Sequence, residues 1–109
     1  MSNEQTPYKK GARAEYYVMD RMKKKGYSVI RSAGSHTPVD LMAGRGRKCL
    51  GIQVKKKKIK TGKRPLTSAE QIALINFCQK FGAEPMMAYQ DMQGFWLIEH
   101  VIKGGKRPL

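Results

Sequence analysis

A chain of 109 residues with 40% hydrophobic residues has the size of one compact domain with its own core, and is too apolar for a disordered segment. Its 22 Lys and Arg against 8 acids leave a formal charge of +14, with a pI near 10.1, an excess that points to a polyanionic partner. No apolar run approaches the roughly 18 residues of a membrane span, Ser2 to Lys10 is too polar for a secretion signal, and Cys49 and Cys78 lack metal-ligand spacing, so a soluble, intracellular, nucleic-acid-facing protein with no membrane role is expected.

Residues 1–9, with Pro7 among them, read as a loose arm. The spacing then predicts a helix from about Lys10 to Lys25, stopped by Gly26. At about 100° per residue, Ala14, Val18, Met19 and Met22 share one side of it, and Glu15 falls inside that arc. A carboxylate on a buried stripe costs several kcal/mol unless it meets a cation or a metal, whereas at the arc's edge it reaches water. Glu15 is therefore the first residue that calls for a partner.

Tyr27 to Arg31 reads as a short strand, and residues 32–38 as a loop of small, polar and turn-forming side chains. Val39 to Ala43 and Lys48 to about Lys56 form a hairpin around Gly44-Arg45-Gly46-Arg47. Alternation sets Val39, Leu41 and Ala43 on one face, with Asp40 and Met42 opposite. In the next strand Leu50, Ile52 and Val54 share a face, leaving Gly51, Gln53 and Lys55 on the other. Both apolar rows must lie on the same side, because a one-residue slip would expose one of them. Asp40 then shares a face with Gln53 and Lys55, and such neighbours lie about 5 to 8 Å apart. Carboxylate, amide and ammonium converge there, either as the polar face of an exposed hairpin or as a site.

Lys55 to Arg64 holds seven cations in ten residues and ends at Pro65, a basic loop or flexible strand extension. Thr67-Ser68-Ala69-Glu70 matches a capping box and opens a helix over 67–81 that Gly82 stops. Leu74, Phe77, Cys78 and Phe81 form one apolar side, and Ile72 and Ile75 widen it, which suits either deep burial or a partner subunit. Pro85 to Tyr89 and Phe95 to Glu99 close the fold as strands, and residues 100–109 read as a basic flexible tail. The order αβββαββ describes an α/β fold with a central mixed sheet flanked by helices. Met86, Met87 and Met92 read as core or turn fillers, Cys49 as a small residue in a tight spot, and His36 as a solvated neighbour of Asp40 or a helper at phosphate. Tyr8, Tyr16 and Tyr17 serve helix packing or stacking on unpaired bases.

Lys10-Gly11-Ala12-Arg13-Ala14-Glu15, the run Gly26-Tyr27-Ser28-Val29-Ile30-Arg31-Ser32-Ala33-Gly34-Ser35, then Val39-Asp40-Leu41-Met42-Ala43-Gly44 and Ile52-Gln53-Val54-Lys55 together resemble the archaeal-type Holliday junction resolvases. The resemblance covers nearly the whole chain. It implies the restriction-endonuclease-like fold of the PD-(D/E)XK nuclease superfamily, a homodimer, and a divalent-metal-dependent endonuclease selective for branched four-way DNA. Carried over by position, Glu15, Asp40, Gln53 and the Val54 carbonyl would hold Mg²⁺, with Mn²⁺ as a substitute, and Lys55 would be the catalytic lysine. Ser35 or Ser32 would assist at the phosphate, with Ser35 preferred because it lies closer to Asp40. Lys10, Arg13, Arg31, Ser32, Arg45, Arg47, Lys56, Lys57, Lys58, Lys60, Lys63 and Arg64 are the expected DNA contacts, and the second helix (67–81) the expected dimer surface.

Two positions depart from the family pattern. Gln53 stands where the E-x-K motif carries Glu, which keeps an oxygen ligand and removes a full charge. Tyr16 stands where an Arg often follows the helix Glu. The expected function is paired hydrolysis of a four-way junction by direct water attack, leaving 5′-phosphate and 3′-hydroxyl ends, in an archaeal cytoplasm or a virus-infected host. The alternatives are a junction-binding protein whose cleavage Gln53 has impaired, and a basic protein for structured RNA, which needs no Glu15 beside an Asp40/Gln53/Lys55 cluster.

Overall fold

The computed structural model describes residues 7–32 and 37–109, with side chains from Ala12 onward. Pro7 is the first residue of α1 (Pro7–Lys24), where a missing N–H costs nothing, so the helix starts earlier than Lys10 and takes in the end of the expected arm. The elements β1 (Ser28–Arg31), β2 (Leu41–Arg45), β3 (Lys48–Val54), α2 (Ser68–Phe81), β4 (Glu84–Gln90), β5 (Trp96–His100) and β6 (Gly104–Pro108) follow. The strands form one sheet in the order β1-β2-β3-β4-β5-β6. Neighbours run antiparallel except β3 and β4, which are parallel and joined through α2.

Each helix covers one face. Against α1, Val18 and Met22 pack on Leu41, Ala43, Leu50, Ile52, Val54 and Ala88. Val18, Leu41 and Ile52 are fully buried, each contributing roughly 1.5–3 kcal/mol. On the opposite face, Leu74 and Cys78 of α2 pack with Leu66, Met87 and Tyr89. The register Leu41↔Ile52 and Ala43↔Leu50 puts both apolar rows of the hairpin on the α1 side, as burial requires.

Val39 does not follow that alternation. β2 begins only at Leu41, and ahead of it the Asp40 amide donates to the Ile52 carbonyl at 2.8 Å, out of step with the ladder. Val39 therefore packs with Leu66, Leu74 and Cys78 on the α2 face instead of beside Leu41.

Helix α2 starts with the expected capping box: Thr67 accepts from the Glu70 amide and Glu70 accepts from the Thr67 amide. Its apolar side is narrower than predicted, since Ile72 and Phe81 are each 60% exposed. Phe81 lies against Phe77 with ring centroids 5.1 Å apart. Close approach of α2 to the sheet depends on Gly51, where an added Cβ would come within 2.4 Å of Cys78 Sγ and 3.0 Å of Val39 Cγ1.

Two segments differ from expectation. The basic stretch after β3 is tied down: the Lys55 amide donates to Ala88, the Ile59 amide to Gln90, and Leu66 is fully buried. Residues 104–108, expected within a flexible tail, pair as β6 with β5 (His100↔Gly104, Ile98↔Arg107, Leu97↔Pro108), extending the predicted αβββαββ order by one strand. Gly104 and Gly105 take φ of 71° and 86°, which bends the chain back onto the sheet, and Leu109 then enters the α1 core under a two-pronged hydrogen bond from Arg21.

Candidate active site

The early end of β2 makes room for Asp40. With no main-chain partner across the sheet, the Val54 amide donates to Asp40 Oδ2 at 2.7 Å, while the Asp40 carbonyl accepts from the Ser32 amide at 2.8 Å. Asp40 sits just ahead of the Leu41↔Ile52 pair, at the end of the β2–β3 pair where Gln53 and Val54 follow Ile52. Burial raises its pKa above the ordinary carboxylate value; the Val54 amide opposes this, and Glu15 adds repulsion in the same direction as burial. Two carboxylates thus share a partly dry corner.

Glu15, 5% exposed, has the partner its position called for: Arg31 Nε lies 2.7 Å from Oε1. The Arg31 guanidinium also stands over the Tyr16 ring, 5.1 Å from its centroid. Tyr16, the departure from the family pattern, therefore shelters the arginine that neutralises Glu15. Arg31 was expected at DNA, and its guanidinium is engaged inside the fold instead.

Gln53 and Lys55 project together, and they meet a residue that sequence reasoning assigned only to a helix cap. Glu70 Oε2 accepts from Lys55 Nζ at 2.7 Å and from Gln53 Nε2 at 3.3 Å, while Oε1 accepts from the Thr67 amide at 2.9 Å. The Lys55 ammonium is the leading cause of a Glu70 pKa lowered from 4.5 to about 2, with the Thr67 amide next. The available signal was the capping box itself, which fixes a carboxylate on the first turn of the helix that crosses over β3.

The remaining expected residues divide by place. Ser32 is next to Asp40 by its backbone, and its hydroxyl lies 3.2 Å from that of Thr37. Ser35 and His36 fall outside the described residues, as does the side chain of Lys10. Lys56, Lys57, Lys58, Lys60, Lys63 and Arg64 are all exposed in the segment leaving β3, and Arg13 is exposed on α1. Arg45 and Arg47 belong to the other end of the hairpin, and β3 of 7 residues separates the two ends by roughly 20 Å. Arg45 is held there by the Lys25 carbonyl at 2.6 Å and lies over Tyr27, away from the Asp40 end. A cavity of about 500 Å³ lies at that other end, bordered by Tyr27, Arg45, Glu84 and His100 but by neither Asp40 nor Lys55.

Among the described residues no three His, Cys, Asp or Glu side chains are grouped to hold a metal ion. The donors that do fit a hard divalent cation are mixed: the Asp40 carboxylate, the free oxygen of Glu15 and the Gln53 amide oxygen. The mutual repulsion of Asp40 and Glu15 is what a cation between them would relieve.

The family model for archaeal Holliday junction resolvases (Hjc) matches residues 6–103. The chain belongs to the archaeal Holliday junction resolvase family. It is 36% identical over 93 residues to a crossover junction endodeoxyribonuclease Hjc from Archaeoglobus fulgidus, matching 80% of this chain and 65% of the relative. It is 37% identical over 84 residues to the Hjc of Methanocaldococcus jannaschii, matching 74% of this chain and 59% of that protein. The chain thus spans about three fifths of the length of these curated relatives. The solved structure of the A. fulgidus Holliday junction resolvase superposes with a TM-score of 0.68 at 33% identity, over 84% of this chain and 73% of that one. A bacterial homing endonuclease shares the fold at a TM-score of 0.55 and 16% identity, over 96% of this chain and 78% of its own. The chain shares the fold of these two proteins, an α/β arrangement built here with six strands and two helices among the described residues.

Proposed function

We propose that this chain is a divalent-metal-dependent endonuclease that resolves four-way DNA junctions. The observation that carries the reading is that Asp40, tied to the Val54 amide, lies at the same end of the β2–β3 pair as Gln53 and Lys55, which Glu70 joins, beside an exposed run of cations, in a chain of the Hjc family. Asp40, Gln53, the Val54 carbonyl and the unpaired oxygen of Glu15 would hold Mg²⁺, or Mn²⁺ in its place. The ion supplies, when bound, a water of lowered pKa and charge to offset the phosphate. Arg31 fixes the Glu15 carboxylate within the core through their hydrogen-bonded ion pair. Lys55 places a positive charge where negative charge grows on the attacked phosphate. Attack by water breaks the P–O3′ bond and leaves a 5′-phosphate and a 3′-hydroxyl, with no covalent intermediate. Ser32 or Ser35 assists at the phosphate.

Lys56, Lys57, Lys58, Lys60, Lys63 and Arg64 grip the backbone near the branch point. A junction is nearly two-fold symmetric and must be cut on two strands, which a C2 dimer satisfies with two related sites. The exposed Ile72 and Phe81 of α2, with the half-buried Phe77 against Phe81, are the surface for that pairing. No helix among the described residues is long and apolar enough to cross a membrane.

The test is an end-labelled four-way junction incubated with Mg²⁺ beside a linear duplex of the same arm. Paired incisions near the branch point, ligatable as 5′-phosphate ends and absent from the duplex, are expected. Tight junction binding with no incision in Mg²⁺ or Mn²⁺ would replace the resolvase with a binding-only protein.

A further inference from the structure

A glutamate that only completes a capping box needs one oxygen. Glu70 uses Oε1 for that, accepting from the Thr67 amide, and Oε2 is engaged by two side chains from another element, Lys55 at 2.7 Å and Gln53 at 3.3 Å. The surplus contacts have a chemical consequence. A carboxylate only accepts hydrogen bonds, so a glutamine beside it must present its nitrogen, and its oxygen is turned away. Gln53 is thereby prevented from flipping. Its amide nitrogen, useless to a cation, is held on Glu70, and Oε1 is the end left for the site. The same carboxylate fixes the head of Lys55, whose four-carbon stem otherwise wanders.

We infer that Glu70 is a positioning residue of the active site, orienting the Gln53 amide and the Lys55 ammonium from the first turn of α2. A carboxylate at position 53 would present an oxygen in either orientation and would itself face Lys55. With glutamine there, the orienting charge comes from the helix. The inference rests on reading the site as a metal-dependent one.

The experiment compares the wild-type full chain with Glu70→Gln, Glu70→Gln/Gln53→Glu and Thr67→Ala. Mn²⁺ binding without DNA is followed by electron paramagnetic resonance, junction cleavage is measured in parallel, and circular dichroism verifies the fold at the assay temperature. Glutamine is accepted at this capping-box position, so E70Q keeps its helix start while Gln53 becomes free to turn either end outward. E70Q is expected to weaken Mn²⁺ binding by about 10–100-fold and to slow cleavage comparably, the usual effect of removing a group that orients a ligand. The double variant, whose position 53 needs no orienting, is expected to recover both to within about threefold of wild type, since the coupled pair is restored as a unit. T67A weakens the same cap without touching Oε2 and is expected to bind Mn²⁺ as wild type does. Unchanged Mn²⁺ affinity and cleavage in E70Q, a double variant no better than E70Q, or an equal loss in T67A would each overturn the inference. A wild-type chain that neither binds Mn²⁺ nor cuts the junction would overturn the metal-nuclease reading first, and the inference with it.

Discussion

The Glu70–Lys55 pair makes the stability of this protein depend on acid in a way that one substitution isolates. The Lys55 ammonium, 2.7 Å away, and then the Thr67 amide hold the Glu70 pKa at about 2 against an ordinary 4.5. A folded-state pKa below the unfolded one means stability that is present above about pH 4.5 and lost as the pH falls through about 2. The drop from 4.5 to about 2, at 1.36 kcal/mol per pH unit, sets a ceiling near 3.4 kcal/mol. Solvent reaches 31% of the Glu70 side chain, so screening reduces the expected contribution to about 1–2 kcal/mol. Urea denaturation of wild type and Glu70→Gln at pH 6 should show a gap of about that size, and the gap should shrink by more than half at pH 3. Comparing the two proteins cancels every other titrating group. A gap that stays constant from pH 7 to pH 3 would mean that the charge of Glu70 contributes nothing, and the argument from its hydrogen bonds would fail.

Three further outcomes follow from the same geometry. Asp40→Asn keeps an oxygen for the Val54 amide and removes a charge that burial and Glu15 both disfavour, so the thermal midpoint should rise by roughly 2–8 °C at neutral pH. Because the Asp40 pKa is raised in the fold, that advantage should fade as the pH drops and Asp40 takes up its own proton. Gly51→Ala should cost about 1–3 kcal/mol in urea denaturation by driving a methyl group into Cys78 Sγ, and adding Cys78→Ala should return part of the loss. Of the seven cations from Lys55 to Arg64, Lys55 is held by Glu70; the other six give a slope of about −5.4 per subunit for log K against log salt in junction binding.

The parts of the site that lie on regular strands and helices were legible in the sequence. Burial alone set the hairpin register, and with it the meeting of Gln53 and Lys55 on the face away from Leu50 and Ile52. Glu15 announced its need for a partner by falling between Val18 and Met19, and Arg31 meets that need. What escaped depends on irregular backbone or on contacts distant in the chain. Val39 changes face because the chain leaves the ladder at Asp40, a local break that strict alternation does not contain. The strand β6 is held by backbone pairing of Gly104, Arg107 and Pro108, residues whose side chains carry no strand signal. Glu70 was visible as a cap but not as a neighbour of Gln53, because that contact spans 17 residues and depends on how α2 crosses the sheet.

The central claim is that junction DNA is cut at the end of β2 and β3 where Asp40 stands. Its most direct test is the Asp40→Asn protein on an end-labelled four-way junction, with binding and cleavage measured side by side. The account predicts junction affinity equal to or above wild type and, with about 3 kcal/mol of transition-state stabilisation lost, cleavage lower by more than a hundredfold. Wild-type cleavage by Asp40→Asn would place the chemistry elsewhere on the molecule and contradict the account.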